Sequence, residues 1–152
     1  MNLALKVIPP VQLVICATMM FALDHFLPEY HFSFVFQLEL IILLIAASTI
    51  IGALALFDFR KHKTTYHPHT PEKTSTVVNS GIYAYSRNPM YLALVLTLLA
   101  LVIYLENISC FIIIPLFIWY ITCFQITPEE ETLNKLFPVE YDTYCKNVRR
   151  WF

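Results

Sequence analysis

Two short polar segments combine residue types that could bind a polar ligand at the edge of an apolar layer. The first, residues 81–91, has the sequence Gly-Ile-Tyr-Ala-Tyr-Ser-Arg-Asn-Pro-Met-Tyr and leads into an apolar run. The second, residues 127–131, has the sequence Thr-Pro-Glu-Glu-Glu and follows another apolar run. Aromatic rings beside an arginine are also typical of a membrane interface that binds no ligand. That alternative weakens if the intervening chain brings both segments to one surface.

Four apolar stretches surround these segments, namely Ile8–Leu27, Phe34–Phe57, Pro89–Leu105 and Ile108–Ile126. Each approaches or exceeds the roughly 20 residues that cross the hydrocarbon core of a bilayer. Hydrophobic residues make up 58% of the 152 residues, and the mean hydropathy is +0.62. We therefore predict an all-α integral membrane bundle of about four transmembrane spans. Its length predicts one domain, with two spans in residues 1–57 and the site-bearing half in residues 58–152.

The ten Lys and Arg residues indicate how these spans are oriented. Lys6 precedes the first span, five cations lie between the second and third, and four follow the last. The connections at residues 28–33 and 106–107 contain none. The positive-inside rule therefore predicts that both termini, the middle loop and both polar segments are cytoplasmic. Because the cations form no long basic face, nucleic acid is not an expected partner.

Local signals predict how the polar segments are held. Glu106-Asn107 is too short for anything but an antiparallel hairpin between the third and fourth spans. Pro115 is expected to kink the fourth span or free a carbonyl, and Gly81 is expected to adopt a positive φ in a tight turn. Thr127 is predicted to cap a new short helix that has Pro128 at its first position.

The C-terminal residues have the pattern of an amphipathic helix. Its aromatic and cationic residues alternate at helical spacing, which predicts a cytoplasmic interfacial helix that covers the mouth of the hairpin. The apolar and aromatic members of this set are Tyr141, Tyr144, Cys145, Val148, Trp151 and Phe152.

Other chemistries fit the sequence poorly. His62, His67 and His69 near Asp58 match no common zinc spacing, so we expect no metal. Nothing resembling a nucleophile elbow or a reactive-cysteine motif surrounds Ser86 or Cys145. The chain has only two glycines, which excludes a glycine-rich phosphate loop of the Walker or Rossmann type.

Four sequence blocks together resemble the isoprenylcysteine carboxyl methyltransferase family and its bacterial relatives, which are similar to the phospholipid methyltransferases. The blocks are Pro71–Tyr83, Ser86–Tyr91, Pro128–Glu130 and Phe137–Tyr141. The resemblance covers about the C-terminal half and the general layout of spans. It implies a membrane methyltransferase, in a bacterial inner membrane, that uses S-adenosylmethionine without a Rossmann domain.

The resemblance also implies where the cofactor is held. By residue-to-residue transfer, the cofactor-binding set is Ser75, Thr76, Val77, Val78, Tyr83, Asn88, Pro89, Met90, Tyr91 and Glu129. A carboxylate suits a ribose hydroxyl or an ammonium group, and aromatic rings suit an adenine or a sulfonium. Arg87 and Glu130 are the candidates for catalytic groups that orient the acceptor.

Three positions depart from the family pattern. Asn88 replaces a histidine and keeps a hydrogen-bonding group, and Pro138 replaces a glycine. Gln125 stands where the isoprenylcysteine enzymes have a substrate-binding arginine. A neutral amide cannot offset the charge of a desolvated carboxylate, so we expect poor methylation of a prenylcysteine.

We therefore predict methyl transfer from S-adenosylmethionine to a lipophilic small molecule or membrane lipid at the cytoplasmic face, without a metal. The alternative is a non-catalytic membrane scaffold or transporter accessory. In such a protein the acidic run would be only a helix start and the tyrosines only an aromatic belt.

Overall fold

The computed structural model describes residues 8–61 and 77–151, which fold into helices joined by short connections. The α-helices are α1 (Pro9–Phe26), α2 (Gln37–Lys61), α3 (Pro89–Leu105), α4 (Ile113–Ile121), α5 (Thr127–Leu136) and α6 (Pro138–Asn147). Short 3₁₀ helices lie at Pro28–Tyr30, Gly81–Ala84 and Ile108–Ile112, and a π-helical turn covers Thr122–Ile126. The predicted all-α bundle is confirmed.

Three helical stretches in this described part are long and apolar enough to cross a membrane. They are Pro9–Phe26, Gln37–Lys61 and the rod Ile108–Leu136, which includes α4, the π turn and α5. The fourth apolar helix, α3, has 17 residues and is about 25 Å long at 1.5 Å per residue. The four predicted apolar stretches thus all form helices, and α3 is shorter than the other three.

Helix α3 lies at the centre of the bundle and contacts α1, α2 and α4. Small and hydroxyl side chains allow α2 to approach it closely. The Ser48 hydroxyl donates to the Ala93 carbonyl at 2.7 Å and lies 2.8 Å from the Thr97 hydroxyl. A Cβ added to Gly52 would lie 3.6 Å from the Ala93 Cβ. Gly52 therefore lies at a helix–helix contact.

The predicted hairpin between α3 and α4 is confirmed. Glu106 adopts a left-handed conformation with φ of 57°, and the fully buried Asn107 follows it. The Asn107 amide donates to the Leu27 carbonyl at 2.9 Å and to Asp24 at 3.2 Å. The end of α1 therefore meets the α3–α4 turn at the end of the bundle that lacks Lys and Arg.

The acidic segment continues the last apolar helix, so the prediction of a new helix capped by Thr127 is wrong. Thr127 has helical dihedrals, and its N–H bonds to the Thr122 carbonyl five residues earlier. Pro128 has no N–H, and its ring crowds the carbonyl four residues before it. The wider π turn accommodates this defect without ending the helix. Pro115, where we also expected an irregularity, is the third residue of α4 and lies just after the 3₁₀ turn Ile108–Ile112.

The C-terminal helix α6 turns both of its aromatic side chains into the protein. Tyr141, Tyr144 and Val148 are buried and pack against Val77. The Tyr144 hydroxyl donates to the Tyr83 carbonyl at 2.6 Å. A helical repeat of aromatic residues fits a protein core as well as a lipid interface, so the spacing alone could not distinguish the two.

Candidate functional site

The segment before α3 is held in place by the last turns of α2. Gly81 has a φ of +61°, and a Cβ there would lie 2.1 Å from a carboxylate oxygen of Asp58. That oxygen accepts a hydrogen bond of 3.0 Å from the Ile82 N–H. Only glycine satisfies both the backbone conformation and the close carboxylate. The predicted tight turn is confirmed, and the Asp58 carboxylate explains why the turn needs a glycine at this position.

Tyr83 follows this turn and is 5% exposed. Its ring meets the Phe59 ring edge to face at 5.1 Å between centroids. Val78 and Met90 pack in the same cluster. Burial raises the pKa of the Tyr83 phenol, so this ring presents a neutral hydroxyl.

The first turns of α3 and α5 are joined by one hydrogen bond. The Tyr91 hydroxyl donates to the Glu129 carboxylate at 2.7 Å. Tyr91 ends the first polar segment and Glu129 lies in the second. The hairpin therefore brings the two predicted segments together.

The charge on Glu129 is poorly hydrated. Its helix is apolar through Ile126, whereas residues 127–136 carry three glutamates and a lysine. The site thus lies beyond the hydrocarbon-length part of the rod. Desolvation raises the pKa of Glu129 to about 7, the bond from Tyr91 opposes this, and the neighbouring Glu130 charge adds to it. Glu129 is therefore poised between its neutral and charged forms near neutral pH.

Glu130 lies between two guanidinium groups. Its carboxylate is 3.2 Å from Arg87 Nη2 and 2.5 Å from Arg150 Nη2. The Arg87 and Glu130 side chains are 13% and 17% exposed. Arg87 also contacts the Cys145 thiol. The two predicted catalytic residues are thus a partly buried ion pair next to the Tyr91–Glu129 bond.

Asn88 directly precedes α3 and also binds the segment that follows α6. Its side-chain amide donates to the Arg150 carbonyl at 3.0 Å, and its N–H donates to the Ser86 hydroxyl at 3.2 Å. Pro89, the first residue of α3, is also buried. The Asn88 amide nitrogen therefore binds the segment after α6, a role that the sequence did not suggest.

The remaining predicted residues fall into three groups. Val77 packs in an apolar cluster with α6, and its neighbour Val78 packs in a different apolar cluster with α2. Ser75 and Thr76 lie outside the described residues. Gln125, predicted to face the acceptor, is fully buried in the π turn, one helical turn before Glu129.

Three contributing residues were not predicted for this site. Asp58 fixes the turn at Gly81, Tyr144 holds the Tyr83 carbonyl, and Arg150 pairs with Glu130. A polar residue at the end of an apolar span was the only sequence signal for Asp58. Residues 8–61 and 77–151 contain no group of three potential metal ligands, and the three loop histidines lie outside those ranges.

Chemically, the arrangement offers a desolvated carboxylate, two buried phenols and an ion pair at one end of an apolar bundle. A carboxylate of this kind can bind a hydroxyl or an ammonium group, because both are hydrogen-bond donors. Buried aromatic rings can stack on a planar ring or attract a cation.

Comparison with known proteins assigns the family. The model of the family described as phospholipid methyltransferase matches residues 36–140. The chain belongs to the phospholipid methyltransferase family. The resemblance that we inferred from the sequence blocks is confirmed at this level, and the matched range includes Tyr91, Glu129 and the Arg87–Glu130 pair.

One relative is an uncharacterized protein from Haemophilus influenzae, which is 44% identical over 62 residues. That match covers 41% of this chain and 98% of the relative. No solved structure matches the chain. The comparisons thus assign the chain to a methyltransferase family.

Proposed function

We propose that this protein transfers a methyl group from S-adenosylmethionine to a lipophilic acceptor at the cytoplasmic face of a membrane. The observation that carries the proposal is the Tyr91–Glu129 hydrogen bond of 2.7 Å. It joins the two segments that the family resemblance assigns to the cofactor. Membership of a methyltransferase family supports the reaction type.

The residues present fit this cofactor in charge and in chemical type. The Glu129 carboxylate suits its ribose hydroxyls or its ammonium group, and the Tyr83 and Tyr91 rings suit its adenine or its sulfonium. Val78 and Met90 supply apolar walls beside Tyr83. The family resemblance adds Ser75 and Thr76 to this set. When bound, S-adenosylmethionine supplies an electrophilic methyl group on sulfur.

The protein's own contribution is to position groups and to exclude water. The Tyr91 hydroxyl binds one oxygen of Glu129 and so fixes the orientation of the carboxylate. The surroundings have a low dielectric constant, in which charge interactions are strong. The Arg87–Glu130 pair lies beside it and can orient the polar group of an acceptor. Methyl transfer to a positioned acceptor needs no covalent enzyme intermediate, so these roles suffice.

The acceptor is a neutral or amine-bearing lipophile. Gln125 offers no charge to a carboxylate, and in the structure it is fully buried. Arg87 and Arg150 both pair with Glu130. Neither guanidinium is therefore available at the described site to pair with a carboxylate of an acceptor. The exposed apolar faces of α1 and α2 are suited to lipid, which allows an acceptor to arrive from within the bilayer.

The decisive activity test is transfer of labelled methyl from S-adenosylmethionine to lipid extracts and to N-acetyl farnesylcysteine. We expect membranes containing the wild-type protein to label a neutral or amine-bearing lipid fraction, and Glu129→Ala membranes to label it roughly ten- to hundredfold less when S-adenosylmethionine is limiting. Glu131→Ala is the matched control, because Glu131 is exposed on the same helix. Efficient labelling of the farnesylcysteine would contradict the acceptor class. No labelling at all would favour the scaffold alternative.

A further inference from the structure

The tail after α6 crosses the start of α3. Val148 takes an extended conformation where α6 ends. The Arg87 N–H then donates to the Arg149 carbonyl at 3.1 Å. The next carbonyl, that of Arg150, accepts from the Asn88 amide at 3.0 Å and from the Ser86 hydroxyl at 3.5 Å. Consecutive backbone groups of the tail are thus bound by consecutive residues before α3.

The Arg150 side chain extends in another direction, to α5. Its Nη2 donates to one oxygen of Glu130 at 2.5 Å, and its Nε donates to the other at 3.2 Å. Such paired, charge-assisted hydrogen bonds are stronger and more directional than single neutral ones. Arg149 differs, since its side chain is exposed and the bond it makes to the α3 segment is through its backbone carbonyl.

Arg150 therefore connects the same two helical turns that the Tyr91–Glu129 bond connects. The Arg150 carbonyl binds Asn88, which is one turn before Tyr91. The Arg150 guanidinium binds Glu130, which directly follows Glu129. We propose that Arg150 is a positioning residue, which holds the tail across α3 and α5 and so keeps Tyr91 against Glu129. Its effect on the cofactor rests on the proposed function.

The ion pairs around Glu130 show why Arg150 matters more for the Glu129 site than its neighbours in the tail do. Arg87 and Arg150 share the one carboxylate, so loss of Arg150 leaves a single pair. The Glu130 charge would then be less compensated beside Glu129, whose pKa it already raises. Both the geometry and the charge of the Glu129 site thus depend on Arg150.

The first test measures binding of S-adenosylhomocysteine by the full-length protein in detergent. We expect Arg150→Ala to weaken affinity roughly fivefold or more, in the range of typical coupling through a network. Arg150→Lys should recover part of the loss, because it restores one charge but not the paired geometry. Arg149→Ala, the matched control, keeps the backbone carbonyl and should bind as the wild type does. Equal affinities for the two alanine variants would overturn the proposal.

The second test needs no cofactor. Trp151 packs against the core cluster that includes α1, α3 and α4 residues. In a Trp119→Phe background, Trp151 is the only tryptophan, so its fluorescence reports whether the tail is docked. We expect Arg150→Ala to increase quenching of Trp151 by acrylamide, whereas Arg149→Ala should not.

The two tests separate the failure of this proposal from that of the proposed function. Unchanged Trp151 quenching in Arg150→Ala would show that Arg150 does not hold the tail. Increased quenching with unchanged affinity would show that the tail does not position the site. A wild-type protein that bound no S-adenosylhomocysteine would contradict the proposed function, while the quenching comparison would still decide whether Arg150 holds the tail.

Discussion

Tyr91 donates a hydrogen bond of 2.7 Å to Glu129, across 38 residues of sequence. Tyr91 lies in the first turn of α3 and Glu129 in the first turn of α5. The two helices are brought together by the Glu106-Asn107 turn at the far end of the bundle and by the π turn that continues the last span. The candidate site is thus a product of the hairpin and of the irregular turn together.

Gly81 is predicted to be essential for the structure of the site. Gly81→Ala forces a left-handed residue to carry a Cβ and drives that atom into the Asp58 carboxylate. The strain and the loss of the Ile82 hydrogen bond should lower the free energy of unfolding by about 2–3 kcal/mol. A denaturant titration in mixed micelles measures this change.

Gly52 provides the control for that substitution, since it is the other glycine of the chain. Gly52→Ala places its Cβ at an ordinary contact distance of 3.6 Å from Ala93. It should change the free energy of unfolding by less than about 1 kcal/mol, because helix propensity favours alanine. Similar losses in both variants would refute the account of the Gly81 turn.

The sequence was sufficient to predict features that depend on composition and short-range geometry. The apolar runs gave the four helices, and the two-residue connection at Glu106-Asn107 gave the hairpin, because so short a link leaves no other path. Thr127-Pro128 was misleading, since its residues match a helix start. Whether proline ends a helix or is accommodated in a π turn depends on packing around the preceding turn.

Long-range polar contacts could not be predicted in the same way. Asp58 and Gly81 are 23 residues apart in number, and the role of Asp58 depends on where α2 ends against the Gly81 turn. Asn88 was assigned to a cofactor, and its amide is seen to bind the Arg150 carbonyl. Backbone carbonyls have no residue-type signature, so no sequence pattern reports such partners.

The orientation of the bundle is tested by cysteine labelling in intact cells. In a background without the four native cysteines, Ser33→Cys should react with a membrane-impermeant maleimide from outside. Lys146→Cys, at the cation-rich end, should react only after the membrane is permeabilised. Both positions are exposed in the structure, so accessibility within the protein is matched. Labelling of Lys146→Cys in intact cells would contradict the predicted topology.

The pH dependence of cofactor binding follows from Glu129. With its pKa raised to about 7, Glu129 is mostly protonated below that pH and cannot pair with an ammonium group. Affinity for S-adenosylhomocysteine should therefore rise between about pH 6 and pH 8 and then level off. Glu129→Gln should bind weakly, with no such rise. A wild-type affinity that is constant over this range would argue against a carboxylate contact.

Protein stability should change with pH in the opposite direction. The folded-state pKa of Glu129 lies above its usual value of 4.5, so its protonated form is favoured by folding. The resulting contribution to stability is fully present below about pH 4.5 and is lost as the pH rises through about 7. Comparing the pH dependence of unfolding in wild type and Glu129→Gln isolates this contribution from that of other carboxylates.

The most direct test of the Glu129 site is calorimetric titration of S-adenosylmethionine into the purified protein at pH 8. Glu129→Ala removes the partly buried carboxylate, whereas Glu131→Ala removes an exposed carboxylate two residues away. Loss of a charge-assisted hydrogen bond should cost about 1.5–3 kcal/mol, hence roughly ten- to hundredfold in affinity. We expect that loss for Glu129→Ala and nearly wild-type binding for Glu131→Ala. Equal affinities of the two variants would contradict the assignment of Glu129 to the cofactor site.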